Sequence, residues 1–226
     1  MFNLRHMEEF SILQQSLPQL ITGAIVTVQL TLCSVVLSLC AGIISVALQL
    51  SGFPPGYWSS RIYVSIMRGT PLLVQLFVVF FGLPLIGLQG QAFSAAVLAI
   101  GLNSGAYVTE ILRAAILAIP GGQIEAARTV GMSTLQIWQR VILPQALVVS
   151  IPALINEFTI VLKSTPLASV VAVTEFTFTG QLIISRTFRP TAVLLTVAGG
   201  YVVISLIVSQ ILRRMEQHFA EYKLSG

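Results

Sequence analysis

The residues in this chain that could do chemistry are few and scattered. All eight acidic residues are glutamates, against twelve Lys and Arg together. Glu110 and Arg113 stand three apart, a spacing that puts both on one helical face and suits an ion pair, structural or gating. Asn156 and Glu157 adjoin, and Lys163, Ser164 and Thr165 follow after a short apolar run. Glu157 and Lys163 are six apart, a poor spacing for a direct helical pair, so each needs another partner. One acid and one base in an apolar region match the two ends of a zwitterion. Asn156, Glu157, Lys163, Ser164 and Thr165 are therefore candidates to flank a path for such a molecule, with pairing inside a helical bundle as the alternative. Asn103, alone in another apolar run, belongs either to that path or to a hydrogen bond between helices.

No nucleophile, base and orienting group converge in the sequence. A phosphate-cradling loop needs a lysine after a glycine-rich turn, and neither of the two lysines, Lys163 and Lys223, ends one. His6 and His218 are isolated, and no His, Cys or carboxylate group has metal-ligand spacing. Cys33 and Cys40 are seven apart, about 10.5 Å of helical rise, too far for a disulfide. The chain reads as something other than an enzyme, without a cofactor or metal of its own.

The elements that must position these residues are apolar helices. Hydrophobic residues make up 55% of the 226 and charged residues only 9%, against about 25% charged in soluble domains. No charge occurs from Phe10 to Ser60 or from Gly69 to Thr109, and a helix crosses the hydrocarbon core with about 20 residues. Five spans are expected, at about 20–50, 72–87, 93–117, 143–162 and 190–212. The breaker cluster Ser51-Gly52-Phe53-Pro54-Pro55-Gly56 ends the first. A short helix around Trp58 to Met67 precedes the second, and Gly87, Gln89, Gly90 and Gln91 turn into the third. The stretch 163–189 is too broken to span simply. Glu8 and Glu9 near the start do not fit a secretory signal, so that end is expected to stay attached.

Positive charge is enriched on the cytoplasmic side of membrane proteins. With the N-terminus outside, Arg61, Arg68, Arg113, Arg128, Arg140, Arg213, Arg214 and Lys223 lie inside or near it. Arg5, Lys163, Arg186 and Arg189 lie outside or within the membrane. The organisation expected is an outer segment 1–19, a membrane domain 20–212 and a cytoplasmic tail 213–226. The net charge of +4 needs no nucleic acid to explain it.

The polar stretch between the third and fourth spans, 120–144, is built as a bracket. Ala126 and Ala127 are strong helix formers with small side chains, suited to close approach. Gly131 can end their helix in the left-handed conformation. Ser133-Thr134-Leu135-Gln136 fits a capping box that starts a second short helix, and Pro144 marks the next span. Glu125 is free to cap its helix or to pair with a base on a partner.

Glu125-Ala126-Ala127, Gly131 and Val141-Ile142-Leu143-Pro144 together resemble the loop signature of binding-protein-dependent ABC importer permeases, with Val141 in the place of isoleucine. Arg68-Gly69-Thr70-Pro71-Leu72-Leu73-Val74-Gln75 resembles the polar amino acid branch of that family. So do Ala106-Tyr107-Val108-Thr109-Glu110-Ile111-Leu112-Arg113 and Leu162-Lys163-Ser164-Thr165-Pro166-Leu167-Ala168-Ser169-Val170. The likeness covers Gly23 to Arg214. The chain departs from it at Ser164, where many relatives are acidic, at Pro166, where serine is common, and at Ala114 and Ala115, where glycine is more frequent. The Ser164 change leaves the charge preference of the cargo open.

This resemblance implies an all-α fold of five transmembrane helices, the type I importer membrane domain, in the bacterial inner membrane. It implies a permease for polar amino acids or derivatives such as opines, coupled through Glu125, Ala126, Ala127, Gly131 and Pro144 to a separate ATPase subunit that binds ATP and Mg. The partners implied are that ATPase, a periplasmic or extracellular amino-acid-binding protein and a second permease, identical or paralogous. Gly23, Ala24 and Gly42 are expected to let helices pack closely where the permeases meet. An ion-coupled secondary transporter or channel is the rival reading; it would leave the polar bracket without a partner.

Overall fold

The computed structural model describes the backbone of residues 2–85, 87 and 91–224 and the side chains of residues 13–85, 87 and 91–214. The expected turn at Gln89 and Gly90 lies outside these residues, as do the side chains of Arg5, His6, Glu8, Glu9, His218 and Lys223. The described chain is helical throughout. In order come α1 (Phe2–Leu50), α2 (Pro54–Gly69), α3 (Leu72–Leu85), α4 (Ala92–Leu117), α5 (Gly121–Thr129) and α6 (Thr134–Ile137). A π turn (Trp138–Ile142), α7 (Leu143–Ser164), a 3-10 helix (Thr165–Val171), α8 (Phe176–Thr187) and α9 (Pro190–Leu224) complete it.

Helix α1 is the backbone of the bundle, and its patterning is that of a membrane helix. Its buried face carries small and hydroxyl-bearing residues: Thr27, Thr31, Ser34, Ser38, Ser45 and Gln49. Its exposed face carries Ile21, Ile25, Leu32, Val36, Ile43 and Ile44. Lipid tails cover the large apolar side chains, while small residues let backbones approach. Glycines serve the same contact. A Cβ on Gly42 would stand 2.4 Å from Val108 of α4, and one on Gly23 would stand 2.5 Å from Thr179 of α8. Ala24, next to Gly23, packs against the cluster of Leu20, Phe176, Ile183, Val193 and Val197. The small residues expected between two permeases thus pack helices within one.

The second span differs from expectation. Helix α3 has 14 residues, about 21 Å, too short for a hydrocarbon core of about 30 Å. The helix before it is longer than the sequence suggests, 16 residues, and the two meet at a bend of 110°. Four helical stretches are long and apolar enough to cross by themselves, Leu13–Leu50, Ala92–Leu117, Thr134–Val171 and Pro190–Arg214, and α2 with α3, taken as one bent span, brings the crossings to five. The break has a local cause. Pro71 disfavours helix at Thr70, which is extended at φ −122°, ψ 148°.

The core lies where these crossings converge. Leu30, Leu76, Ala96, Ile100, Val161 and Ala168 from α1, α3, α4, α7 and the 3-10 helix pack together. A second cluster joins Leu20, Phe176, Ile183, Val193 and Val197 of α1, α8 and α9. The expected boundaries at 19/20 and 212/213 fall inside the continuous helices α1 and α9, so any division there is one of environment.

Candidate functional site

The bracket folds as its residue types require. Helix α5 ends in a Schellman turn: Met132 N–H donates to Ala127 C=O at 3.1 Å and Gly131 N–H to Arg128 C=O at 3.0 Å. Gly131 sits at φ +80°, where a Cβ costs about 1–2 kcal/mol. The capping box forms, with Ser133 N–H donating to Gln136 Oε1 at 2.8 Å and Gln136 N–H to Ser133 Oγ at 3.4 Å. The expected second helix does not stop before the span. It runs through the π turn into α7, where Leu143 N–H bonds back to Trp138 C=O. Pro144 lacks the N–H that would return to Arg140, which favours this looser turn.

A small core holds the elbow rigid: Ile119, Ala127, Ile137 and Ile142, backed by Ile116, Ile124, Met132 and Trp138. Gln145 Nε2 braces it, donating to Gln123 Oε1 at 2.7 Å and to Val141 C=O at 2.8 Å. The outer side points away from the chain. Glu125 and Ala126 are exposed, as are Val130 and Leu135 at 76% and 65%. Glu125 is the fifth residue of its helix, which is N-capped at Pro120, so it does not cap; it is free to meet a partner. Ala127 packs inward, and only Ala126 offers a close outer approach.

The polar residues of the spans separate into different places. Glu157 is buried at 6% exposure and accepts a 2.8 Å hydrogen bond from Ser104 Oγ of α4. Asn156 and Lys163 are exposed on another face of α7. Glu157 and Lys163 are therefore not brought together. Lys163 lines a groove of about 470 Å³ between α7 and α9, with Thr159, Tyr201, Ser205 and Ser209. Ser164 Oγ donates to Ile160 C=O within its own helix. Thr165 is buried, donates to Leu162 C=O and lies 3.4 Å from the Tyr201 hydroxyl.

Asn103 closes the break in the second span. Its Nδ2 donates to Met67 C=O at 2.8 Å and Gln75 Oε1 at 3.1 Å. Gln75 Nε2 donates in turn to Met67 C=O and to Thr70 C=O and Oγ1. These amides satisfy the carbonyls that the end of α2 leaves open. Pro71 C=O accepts from Val74 and Gln75, and among the described residues nothing accepts from the N–H groups of Leu72 and Leu73. Glu110 and Arg113 form the expected pair, Oε2 to Nη2 at 2.7 Å and to Nε at 3.2 Å.

Sequence reasoning missed Glu175. It is fully buried and N-caps α8 through Thr177 N–H and Phe178 N–H at 2.8 Å each. It also accepts a 2.7 Å bond from the Tyr201 hydroxyl. An acidic residue after a broken stretch and ahead of Phe176-Thr177-Phe178 is an N-cap signal, and it was available in the sequence.

Residues 38–221 match the family of binding-protein-dependent transport system inner membrane components. The chain is 38% identical over 215 residues to the L-cystine transport system permease protein TcyB of Bacillus subtilis (strain 168), covering 94% of this chain and 92% of that one. It is 38% identical over 217 residues to the glutamine transport system permease protein GlnP of Escherichia coli (strain K12), covering 92% and 96%. A crystal structure of an amino acid ABC transporter with histidines superposes with a TM-score of 0.86 at 36% identity, over 91% of this chain and 96% of that chain. This chain belongs to the family of binding-protein-dependent transport system inner membrane components, a multi-pass permease subunit with the type I ABC importer fold.

Proposed function

We propose that this permease carries polar amino acids, or derivatives such as opines, across the inner membrane, driven by ATP hydrolysed with Mg on a separate subunit. The observation that carries the reading is the elbow between α4 and α7. It is stiffened by its own small core and strut, yet its outer side faces away from the chain. A lever of this kind has work only against a partner. Glu125 meets a basic group on the ATPase, Ala126 allows close approach, and Ala127, Gly131 and Pro144 keep the lever stiff. Segment 1–19 lies outside, 20–212 forms the membrane domain and 213–226 the inner tail. A binding protein delivers the cargo from outside, and a second permease, the same chain or a paralogue, completes the path.

An amino acid cargo is supported by relatives that carry cystine and glutamine. The path follows the exposed face of α7 with Asn156 and Lys163, past Ser164 and the Thr165–Tyr201 contact. It also passes the start of α3, whose free N–H groups suit a carboxylate, as the broken helices of transporters do. Asn103 and Glu157 act on this path as braces: one shapes the break, the other holds α7 on α4.

The test is reconstitution with the cognate ATPase and binding protein in vesicles, with uptake of labelled glutamine, cystine and arginine measured. Uptake should require ATP. Ala126→Trp should lower it at least about tenfold while the permease remains folded. Accumulation driven by an ion gradient without ATP would establish the secondary-transporter reading instead.

A further inference from the structure

One charged cavity is used by neither the elbow nor the proposed path. The break in the second span places Arg68 at the far end of α2, beside the middle of α4, and not at the membrane edge as the sequence suggests. Tyr63 donates to Leu102 C=O at 2.6 Å and Asn103 donates to Met67 C=O, so the last turn of α2 lies at half the depth of α4. Arg68 stacks there on Tyr107, its guanidinium carbon 5.1 Å from the ring centroid. Among the described residues no carboxylate forms an ion pair with it. One turn further along α4, Glu110 gives Oε2 to Arg113, while its Oε1 is buried without a partner.

Arg68, Tyr107 and Glu110 share the wall of a recess of about 510 Å³ with Ser150, Ala115 and Ala153. That volume lies within the roughly 300–1,000 Å³ of small-molecule sites. The alanines leave room, and Ser150 is the one buried hydroxyl among these residues. The recess lies between the break at Gly69 and the elbow that follows Leu117, so it is on the elbow side of the bundle. Charges at this depth usually mark a path or a ligand. Here both signs are present: among the described residues Arg68 has no carboxylate, and Glu110, its charge paired with Arg113, keeps one oxygen without a donor.

The geometry points to a second ligand site in this recess for a zwitterionic α-amino acid, its carboxylate on Arg68 and its ammonium on Glu110 Oε1. This rests on the amino acid reading above and adds a position on the elbow side of the break. Arg68 is exposed, and the ring of Tyr107 holds its guanidinium in place at the mouth of the recess. A zwitterion supplies the carboxylate that Arg68 lacks and the donor that Glu110 Oε1 lacks. A molecule with one charge leaves the opposite group unmet, which is how such sites reject it. By linkage, cargo bound from the elbow side favours whichever bundle arrangement opens the recess.

The experiment uses the permease–ATPase complex in detergent, without the binding protein. Binding of radiolabelled L-glutamine, L-arginine and L-cystine is measured, with the amino acid amides and N-acetyl derivatives as competitors. One of the three should bind, and neither its derivative without the α-carboxylate nor its derivative without the α-ammonium should compete. Arg68→Met and Glu110→Gln should each weaken binding about tenfold or more, and Arg68→Lys should restore part of it. Binding that survives both Arg68→Met and Glu110→Gln, or competition by the N-acetyl derivative, overturns the site. So does absence of binding while ATP-driven uptake is intact, an outcome that leaves the transport reading standing. Binding without any ATP-driven uptake sinks the transport reading and not the recess. Should Glu110→Gln fail to fold, the Arg68→Met and Arg68→Lys pair decides.

Discussion

Single residues in this protein are governed by whether a polar group in an apolar setting finds a partner. Glu157 is the clearest case: its carboxylate is buried and takes one hydrogen bond, from Ser104. Ser104→Ala leaves a buried acceptor unmet, at a cost of about 1–3 kcal/mol. Glu157→Gln keeps an oxygen for the Ser104 hydroxyl and sheds the charge, so it should cost less. Thermal unfolding in detergent should rank the two in that order. Transport per folded molecule should stay near normal in Glu157→Gln, as a brace requires; a loss of transport at full stability would put Glu157 on the path. Glu175 obeys the same rule more completely, with two backbone donors and Tyr201 on one carboxylate.

Elements are decided by turns and by close approach. At the elbow nothing lies within 4 Å of where a Cβ on Gly131 would stand. The cost of Gly131→Ala is therefore backbone strain alone, about 1–2 kcal/mol, and Gly131→Asn should cost less because asparagine tolerates that conformation. Amide hydrogen exchange across α5 and α6 should report faster opening in that order. The α1–α4 contact is limited by space instead. Gly42→Ala drives a methyl into Val108 and should cost about 1–3 kcal/mol. Gly199→Ala on α9, with nothing within 4 Å, should leave the stability of the single chain unchanged, and melting curves of the two variants test the contrast.

At the scale of the whole molecule, the exposed faces fall into two kinds. Val36 of α1 and Leu195 of α9 are exposed among other large apolar side chains, as lipid requires. The exposed face of α7 is mixed, with Asn156 and Lys163 set among Val149 and Ile160. In a chain with Cys33 and Cys40 replaced by alanine, cysteines introduced at Asn156 and Lys163 should react with a membrane-impermeant maleimide. A cysteine at Val36 should not. Equal protection at all three positions would place the α7 face in lipid and remove it from the path.

What the sequence determined by itself follows from local rules. Charge-free stretches set the membrane class, Gly131 and the Ser133–Gln136 box set the elbow, and three-residue spacing set the Glu110–Arg113 pair, because each depends on neighbours in the chain. Tertiary structure decided the rest. That Gly23 and Gly42 pack inside one chain depends on Thr179 and Val108, far away in sequence. The bend at Gly69–Pro71 is held by Asn103 and Gln75, which meet the carbonyls it exposes. That pairing set Arg68 beside the middle of α4. The faces of α7 were separable by period, but which face met Ser104 and which stayed open was set by where α4 packs.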